Sequence, residues 1–497
     1  MLERFKIEPF LFKKGSEVMK NKIWFFIKLF LVVVSIILSI SFIFVIKDLN
    51  MLPDKYYKVI IITFIVINIL NIICLLPKKN IFNIICIILS IIIIGISSFG
   101  MFHGKKIANF LNNSFNNNGL EISEYSVAVL KSSDYNNIKD LDSKLMGYVV
   151  IDEDKEEYVS LLKSKANSEL VQYNDAYSLY DSLLDKRTDS IVISEGLYQI
   201  LEDKYQDIGD MIKIIYNFKI EHTIKKEEIE VKELKPINVL ISGSDSRSGI
   251  IESKTRSDVN MIMTIDPNNH KILLTSIPRD YYVKLHGTTG INDKLTHAGI
   301  YGIDMSRQTI EDLFNIKINN TLKVGFQSVI QVVDLLGGID IESDSTLTTH
   351  CGDGGAVRTR VVKGMNHFTG PQALSYARER YAYEEGDNHR VQNQQQVIEA
   401  IIDKISQDKS LLSKYDQLLV SLSELYRTDI STDYMKLLVK DQVTNMTSWT
   451  IEKQQVSGTA SYGQTYSMPG WNLWIMIPNM DSVNEARAKI IEITGEE

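Results

Sequence analysis

Six arginines stand where short apolar runs give way to polar turns: Arg247, Arg256, Arg279, Arg378, Arg380 and Arg390. Asp245, Asp258 and Asp387 lie among them. A guanidinium presents a fixed fork of donors that matches phosphate oxygens, and it keeps its charge at any physiological pH. A pocket gathering most of these arginines would therefore take a phosphorylated ligand in preference to a neutral sugar. Even with all three aspartates present it would remain a net cation. A diphosphate ester, with a magnesium ion held by Asp245 and Asp258, would complete the balance, because that hard cation takes oxygen ligands and keeps waters.

The elements that must position these groups are legible as alternating apolar runs. "VNMIMTID" and "HKILLTSIP" read as two strands joined at Pro267-Asn268-Asn269, residues suited to a hairpin turn. Pairing them brings "TRSD" (Thr255 to Asp258) beside "IPRD" (Ile277 to Asp280). "PINVLISGSDSRSG" is a strand running into a Gly/Ser-rich turn that carries Asp245 and Arg247. Arg256, two residues before Asp258, is expected on the same side of a strand, where it could brace that carboxylate. Helices are expected over about 292 to 314, 326 to 336, 367 to 380 and 389 to 406, with "LGGIDI" as a turn entering a strand and "VRTRVVKG" alternating in character. Arg390 and Gln394 are four apart and share a helix face, whereas Gln392 and Gln396 share another. Arg378 and Arg380 would splay on a helix but align on extended chain, so the helix before them is expected to end near Ala377. His389 reads as a cap or a solvent-facing side chain. "FQSVIQVVDLLGG" carries apolar residues at Phe326, Val329, Ile330, Val333 and Leu336, the spacing of ordinary core; the alternative is the lining of a lipid tunnel. The irregular alternation of strands and helices implies an α/β fold with a mixed central sheet and helices on both faces.

The rest of the 497 residues surrounds this part. Three apolar runs, Ile23 to Ile46, Tyr56 to Leu76 and Ile81 to Met101, match the length that crosses a bilayer. Lysine and arginine are densest before the first run, at Arg4, Lys6, Lys13, Lys14, Lys20 and Lys22. That bias implies a cytoplasmic tail (1–22), three crossings (23–101) and an exterior part from about residue 102. "NNSFNNNG" (Asn112 to Gly119) reads as a connector, 120–225 as a small α/β module, 236–410 as the core just described and 411–497 as the C-terminal part of the exterior domain. A net charge of −8 and exterior placement argue against nucleic acid as a partner. Cys74, Cys86 and Cys351 form no disulfide framework or zinc set. Motifs of nucleotide hydrolases, zinc proteases and serine hydrolases are missing from the positions where they would act.

In their order and spacing, "GSDSR", "TRSDVNMIMTID", "LLTSIPRDYYV", "LLGGIDI", "GPQALSYARER" and "GDNHRVQNQQQVI" resemble the LytR-CpsA-Psr family of bacterial envelope proteins, over about Pro236 to Ser406. The three spans, the small α/β module and the tail "YSMPGWNLWIMIPNMDSVNEARAKI" resemble its capsule-associated CpsA branch, which has an accessory domain. The resemblance implies a catalyst that transfers a glycopolymer, capsular or teichoic-acid-like, from a polyprenyl diphosphate carrier to peptidoglycan through a phosphodiester, with magnesium present. It implies Asp245 and Asp258 as metal-side carboxylates and Arg256 as their brace. Arg279, Arg378, Arg380, Arg390 and Gln394 would bind the diphosphate, with Asp387 beside it as the candidate base and a magnesium-bound aspartate as the competing choice. Glu384, Glu385 and His389 depart from the family's pattern at the rim. Membrane proteins of capsule synthesis would be further partners. A phosphatase or pyrophosphatase on the lipid diphosphate and a non-catalytic regulator of polymer synthesis are the rival readings.

Overall fold

The computed structural model describes residues 8–75, 80–111, 120–149, 155–205, 207–223, 231–244, 254–350, 355–384, 386–407, 426–445 and 447–495. Asp245, Arg247, Cys351, Glu385 and the connector 112–119 lie outside them. Two compact units are formed: residues 1–112 with 433–446, and residues 113–432 with 447–497.

The first unit holds helices Glu8–Leu49, Asp54–Ile73 and Asn80–Leu111. Its stretches Lys22–Leu49, Asp54–Ile73 and Ile81–Asn109 are long and apolar enough to cross a membrane. Polar side chains on such helices turn toward one another, because hydrocarbon offers them no partner. Asn71 donates to Ser90 Oγ at 2.9 Å and to Ser35 Oγ at 3.3 Å, while Lys28 donates to the Leu75 carbonyl at 3.1 Å. Helix Thr432–Asn445 supplies the rest of this unit, with Lys440 Nζ 3.2 Å from Asp54 Oδ1.

In the second unit the accessory module is a five-stranded mixed sheet of order β3-β2-β4-β1-β5, built from β1 (Leu120–Leu130), β2 (Leu145–Val149), β3 (Glu169–Tyr173), β4 (Ser190–Ser194) and β5 (Ile212–Thr223). The core follows with β6 (Ile237–Ser244), β7 (Val259–Asp266), β8 (Lys271–Ile277), the ribbon β9 (Tyr282–Val283) and β10 (Asp293–Lys294), and β11 (Asn320–Gly325). Two further ribbons pair β12 (Ile339–Ser343) with β15 (Gly364–Phe368) and β13 (Leu347–Thr348) with β14 (Arg360–Val361). With β16 (Tyr426–Thr428) and β17 (Thr450–Gln455) the central sheet reads β16-β11-β6-β7-β8-β17. It is mixed: β6 pairs parallel with β11 and antiparallel with β7, β7 antiparallel with β8, and β8 parallel with β17.

Alternation along these strands feeds two cores. Leu240, Ile262 and Leu273 pack with Phe314 and Ile490 from helices Ile303–Phe314 and Met480–Thr494. Ile241, Met261, Ile272 and Leu274 point the other way, against Ile398 and Ile402 of helix Asp387–Gln407. Both faces are therefore covered, as the sequence implied. Two expected helices are shorter. The one placed over 292 to 314 begins only at Ile303, because Gly302 takes φ +111° and separates it from the turn before it. The one placed over 367 to 380 runs Gly370–Arg378, since residues up to Phe368 are strand and a capping box of Thr369 and Gln372, with Pro371 in the first turn, starts the helix. Leu240 is fully buried between these layers. Leu240→Ala is expected to lower the unfolding free energy by about 2–5 kcal/mol, read from denaturant midpoints of the detergent-solubilised chain; a loss well under 1 kcal/mol would contradict this core.

Candidate functional site

β6, β8, β11 and β17 all run the same way, so their carboxyl ends share one edge of the sheet, where α/β proteins form ligand crevices. β7 begins at that edge, and the β7–β8 hairpin returns the chain to it. Ile277 ends β8 opposite Asn260, which places the residues just outside the ladder next to each other. Arg279 Nη1 donates to Asp258 Oδ1 at 2.7 Å, so the expected meeting of "TRSD" and "IPRD" occurs. Residues 254–258 are not strand, however, since β7 starts at Val259. Arg256 reaches Asp258 from an irregular turn and not along a strand face.

Helix Asp387–Gln407 enters the same edge at its N-terminal end. Gln395 fixes it by donating to Ser276 Oγ at 3.0 Å and to the Gln454 carbonyl at 2.8 Å, and Tyr376 donates to Gln396 Oε1 at 2.6 Å. Arg390 Nη2 then lies 2.6 Å from Asp387 Oδ1, one helical turn back. His389 is buried and stacks on Tyr383 with ring centroids 3.5 Å apart, which corrects the expectation of a cap or a solvent-facing ring.

Helix Gly370–Arg378 ends one residue beyond the expected Ala377. Glu379 follows, fully buried, accepting from the backbone N–H of His350, of Tyr381 at 2.8 Å and of Ala382 at 2.9 Å. Burial would raise this carboxyl, but those backbone donors and His350 outweigh it and hold it below the usual range. With Glu379 turned inward, the arginines on either side project the other way. Arg378 lies over the Phe326 ring at 4.2 Å, and Arg380 lies over Tyr381 at 4.6 Å. The sequence reading missed Glu379 and the ion pair of Lys294 with Asp280 at 2.9 Å. Period-two alternation in "RERY" carried a signal for the first; nothing local signalled the second.

Charge ties the cluster together. Burial acts to raise the Asp258 carboxyl, yet Arg279, Arg256 and Arg390 outweigh it and hold it below the usual range. Burial acts to lower Arg279, but Asp258, Asp280 and Asp387 raise it further above its already high ordinary value. Burial lowers Arg390, with Arg279 and Arg380 adding to that and Asp387 and Asp258 opposing it. Arg256, Arg279, Arg380 and Arg390 thus share one field with Asp258 and Asp387. Gln394 is half-buried one turn beyond Arg390, without a hydrogen bond to the cluster among the described residues. The Nε atoms of Arg279 and Arg390 are buried and donate no hydrogen bond among the described residues. The Phe326 helix sends Val333 and Leu336 into a closed core, so ordinary packing accounts for those positions.

The domain is a mixed α/β fold with a cluster of partly buried guanidiniums at the carboxyl edge of its sheet, an arrangement suited to an anionic ligand. The family model LytR_cpsA_psr matches residues 209–484, and the chain belongs to the LytR_cpsA_psr family. Among its relatives, the polyisoprenyl-teichoic acid–peptidoglycan teichoic acid transferase TagU of a Bacillus cereus strain is 31% identical over 247 residues, 49% of this chain and 77% of the relative. The transferase of the same name from Enterococcus faecalis is 32% identical over 218 residues, 44% of this chain and 69% of the relative. Among solved structures, B. subtilis TagV is 28% identical with a TM-score of 0.44, covering 53% of this chain and 98% of that one.

Because the folded pKa of Asp258 is depressed, its stabilising pair with Arg279 is present above the ordinary carboxylate value of about 3.9 and is lost as pH falls through the lower folded value. Asp258→Asn is expected to cost about 1–3 kcal/mol at pH 7, the upper limit being set by the 17% and 23% exposure of the two side chains. The difference from the parent should close below about pH 3.9, measured as melting temperature against pH; a difference independent of pH would remove the pair from this account.

Proposed function

We infer that the chain is a membrane-anchored transferase that moves a glycopolymer from a polyprenyl diphosphate carrier onto peptidoglycan, forming a phosphodiester. The observation that carries this reading is the field that Arg256, Arg279, Arg380 and Arg390, with Lys294 beside them, share with three carboxylates, Asp258, Asp280 and Asp387. Five cations against three anions leave a surplus that a diphosphate neutralises, and guanidiniums fit its oxygens in pairs. Family membership and the activity in the relatives' names supply the reaction class. Teichoic-acid-like polymer is the donor those names support; capsular polysaccharide on the same carrier presents the same phosphates, and membrane proteins of capsule synthesis would then deliver it.

Arg279, Arg390 and Arg380 hold the donor's phosphate oxygens, with Arg378, stacked on Phe326, and Gln394 at the flank. An acceptor hydroxyl on peptidoglycan attacks the phosphorus that carries the glycan. The bond to the second phosphate breaks, polyprenyl phosphate leaves, and the arginines stabilise its charge. The hydroxyl proton goes to Asp387, which stands at the head of the helix that carries Arg390, with a magnesium-bound aspartate as the competing acceptor. The donor set at Asp258 suits a hard cation: its carboxylate lies next in register to Ser244, whose buried Oγ has no hydrogen-bond partner among the described residues. A magnesium ion there would be held by Asp258 together with Asp245, the second carboxylate that the family resemblance implies. When bound, the ion adds positive charge to the phosphate oxygens.

The same reading puts the N-terminus in the cytoplasm and the chain from about residue 102 outside the membrane. The Lys440–Asp54 ion pair fits three crossings, which return residues 433–446 to the side of the loop between the first two spans, and the lysine and arginine bias ahead of the first span selects the outside for that side.

Arg279→Gln and Arg390→Gln should each lower kcat/KM for polymer transfer roughly 10²- to 10³-fold with membrane insertion intact, measured with labelled lipid-linked polymer and peptidoglycan. Unchanged attachment would make the chain a regulator, and equal release without peptidoglycan would make it a phosphatase. Chelation of divalent ions is expected to suppress transfer and added Mg²⁺ to restore it; full activity in chelator would remove the metal from the site.

A further inference from the structure

Accessory module and core belong to one compact unit, and one contact between them falls on the candidate site. Gln199 sits on helix Glu195–Lys204 of the accessory module and is only 3% exposed. Its Oε1 accepts the backbone N–H of Arg256 at 3.0 Å. Next to it, a Cβ on Gly196 would stand 3.1 Å from the Lys254 carbonyl oxygen, so helix and turn are in direct backbone contact. On the opposite side, a Cβ on Gly299 would collide with the Thr255 carbonyl oxygen, and Ser257 donates its N–H to the Thr296 carbonyl at 3.0 Å. Ile300, from that same segment, packs inside the accessory core with Leu197 and Ile200. The turn that presents Arg256 and Asp258 is thus gripped between the accessory helix and residues 296–299.

We propose that Gln199 is a positioning residue of the donor site and that the accessory module is a structural part of that site, acting through the backbone of Arg256. The turn has no strand ladder of its own before Val259, so its conformation is set by the groups that accept its N–H donors. Gln199 fixes the amide of the residue whose guanidinium faces Asp258. Losing that acceptor frees the turn to rotate and carries Arg256 away from the phosphates, at a distance from the reacting atoms that Gln199 itself never touches.

The proposal rests on the transferase reading, and a mutant cycle on the full chain in membrane vesicles separates the two. Gln199→Leu removes the acceptor at similar volume and is expected to lower kcat/KM for lipid-linked donor about tenfold, mainly through KM. In an Arg256→Ala background the same change should cost less than about twofold. Gln199→Glu, which keeps an acceptor oxygen, should stay within about threefold of the parent. Should the leucine variant fail to fold, Gln199→Asn, which shortens the reach by a methylene, supplies the same comparison. Equal losses in both backgrounds, or none in the parent while Arg256→Ala is impaired, would overturn the positioning role and leave the transferase reading standing. An Arg256→Ala chain that transfers at the parent rate would overturn the positioning role alone, and a parent chain that transfers no polymer would overturn both.

Discussion

The ion pair between Arg279 and Asp258 is the constraint on which the rest of the site depends. Both groups are largely shielded from water, and leaving either charge there without its partner would be costly. The β7–β8 hairpin brings them together at the carboxyl edge of the sheet, where the Arg390–Asp387 pair also lies within the field of Arg279. Arg279 and Arg380 still bear on Arg390 as like charges, so an arriving anion would lower the energy of the cluster. A site under that tension is built for a multiply charged ligand, because binding relieves the repulsion that folding created.

Much of this was legible in the sequence, for identifiable reasons. Hairpin pairing is a local event governed by period-two alternation and a Pro-Asn-Asn turn, so the meeting of "TRSD" with "IPRD" could be read from residues 255–280 alone. The face shared by Arg390 and Gln394 followed from helical geometry. What could not be read depends on contacts distant in sequence. The buried Glu379 takes its donors partly from His350, and Asp280 finds Lys294 across a ribbon. His389 looked like a polar surface residue until Tyr383 supplied a ring to stack on. The broken helix before Ile303 turned on a single glycine with positive φ, which hydrophobic periodicity does not register.

Domain boundaries were the least legible feature, because composition marks linkers and not contacts. The accessory module reads as separate, yet Ile300 of the core contributes to its interior and Gln199 of the module accepts from the Arg256 backbone. Residues 433–446 read as part of the C-terminal region, yet Lys440 pairs with Asp54 beside the apolar helices. In both places the chain is cut differently by packing than by sequence.

The most direct measurement is a structure of the full chain with a polyprenyl diphosphate bound. The account requires phosphate oxygens within about 2.7–2.9 Å of Arg279 and Arg390 nitrogens, with the Asp258 and Asp387 pairs retained beside them. Phosphates lodged elsewhere, with those two arginines still engaged only by their aspartates, would contradict it.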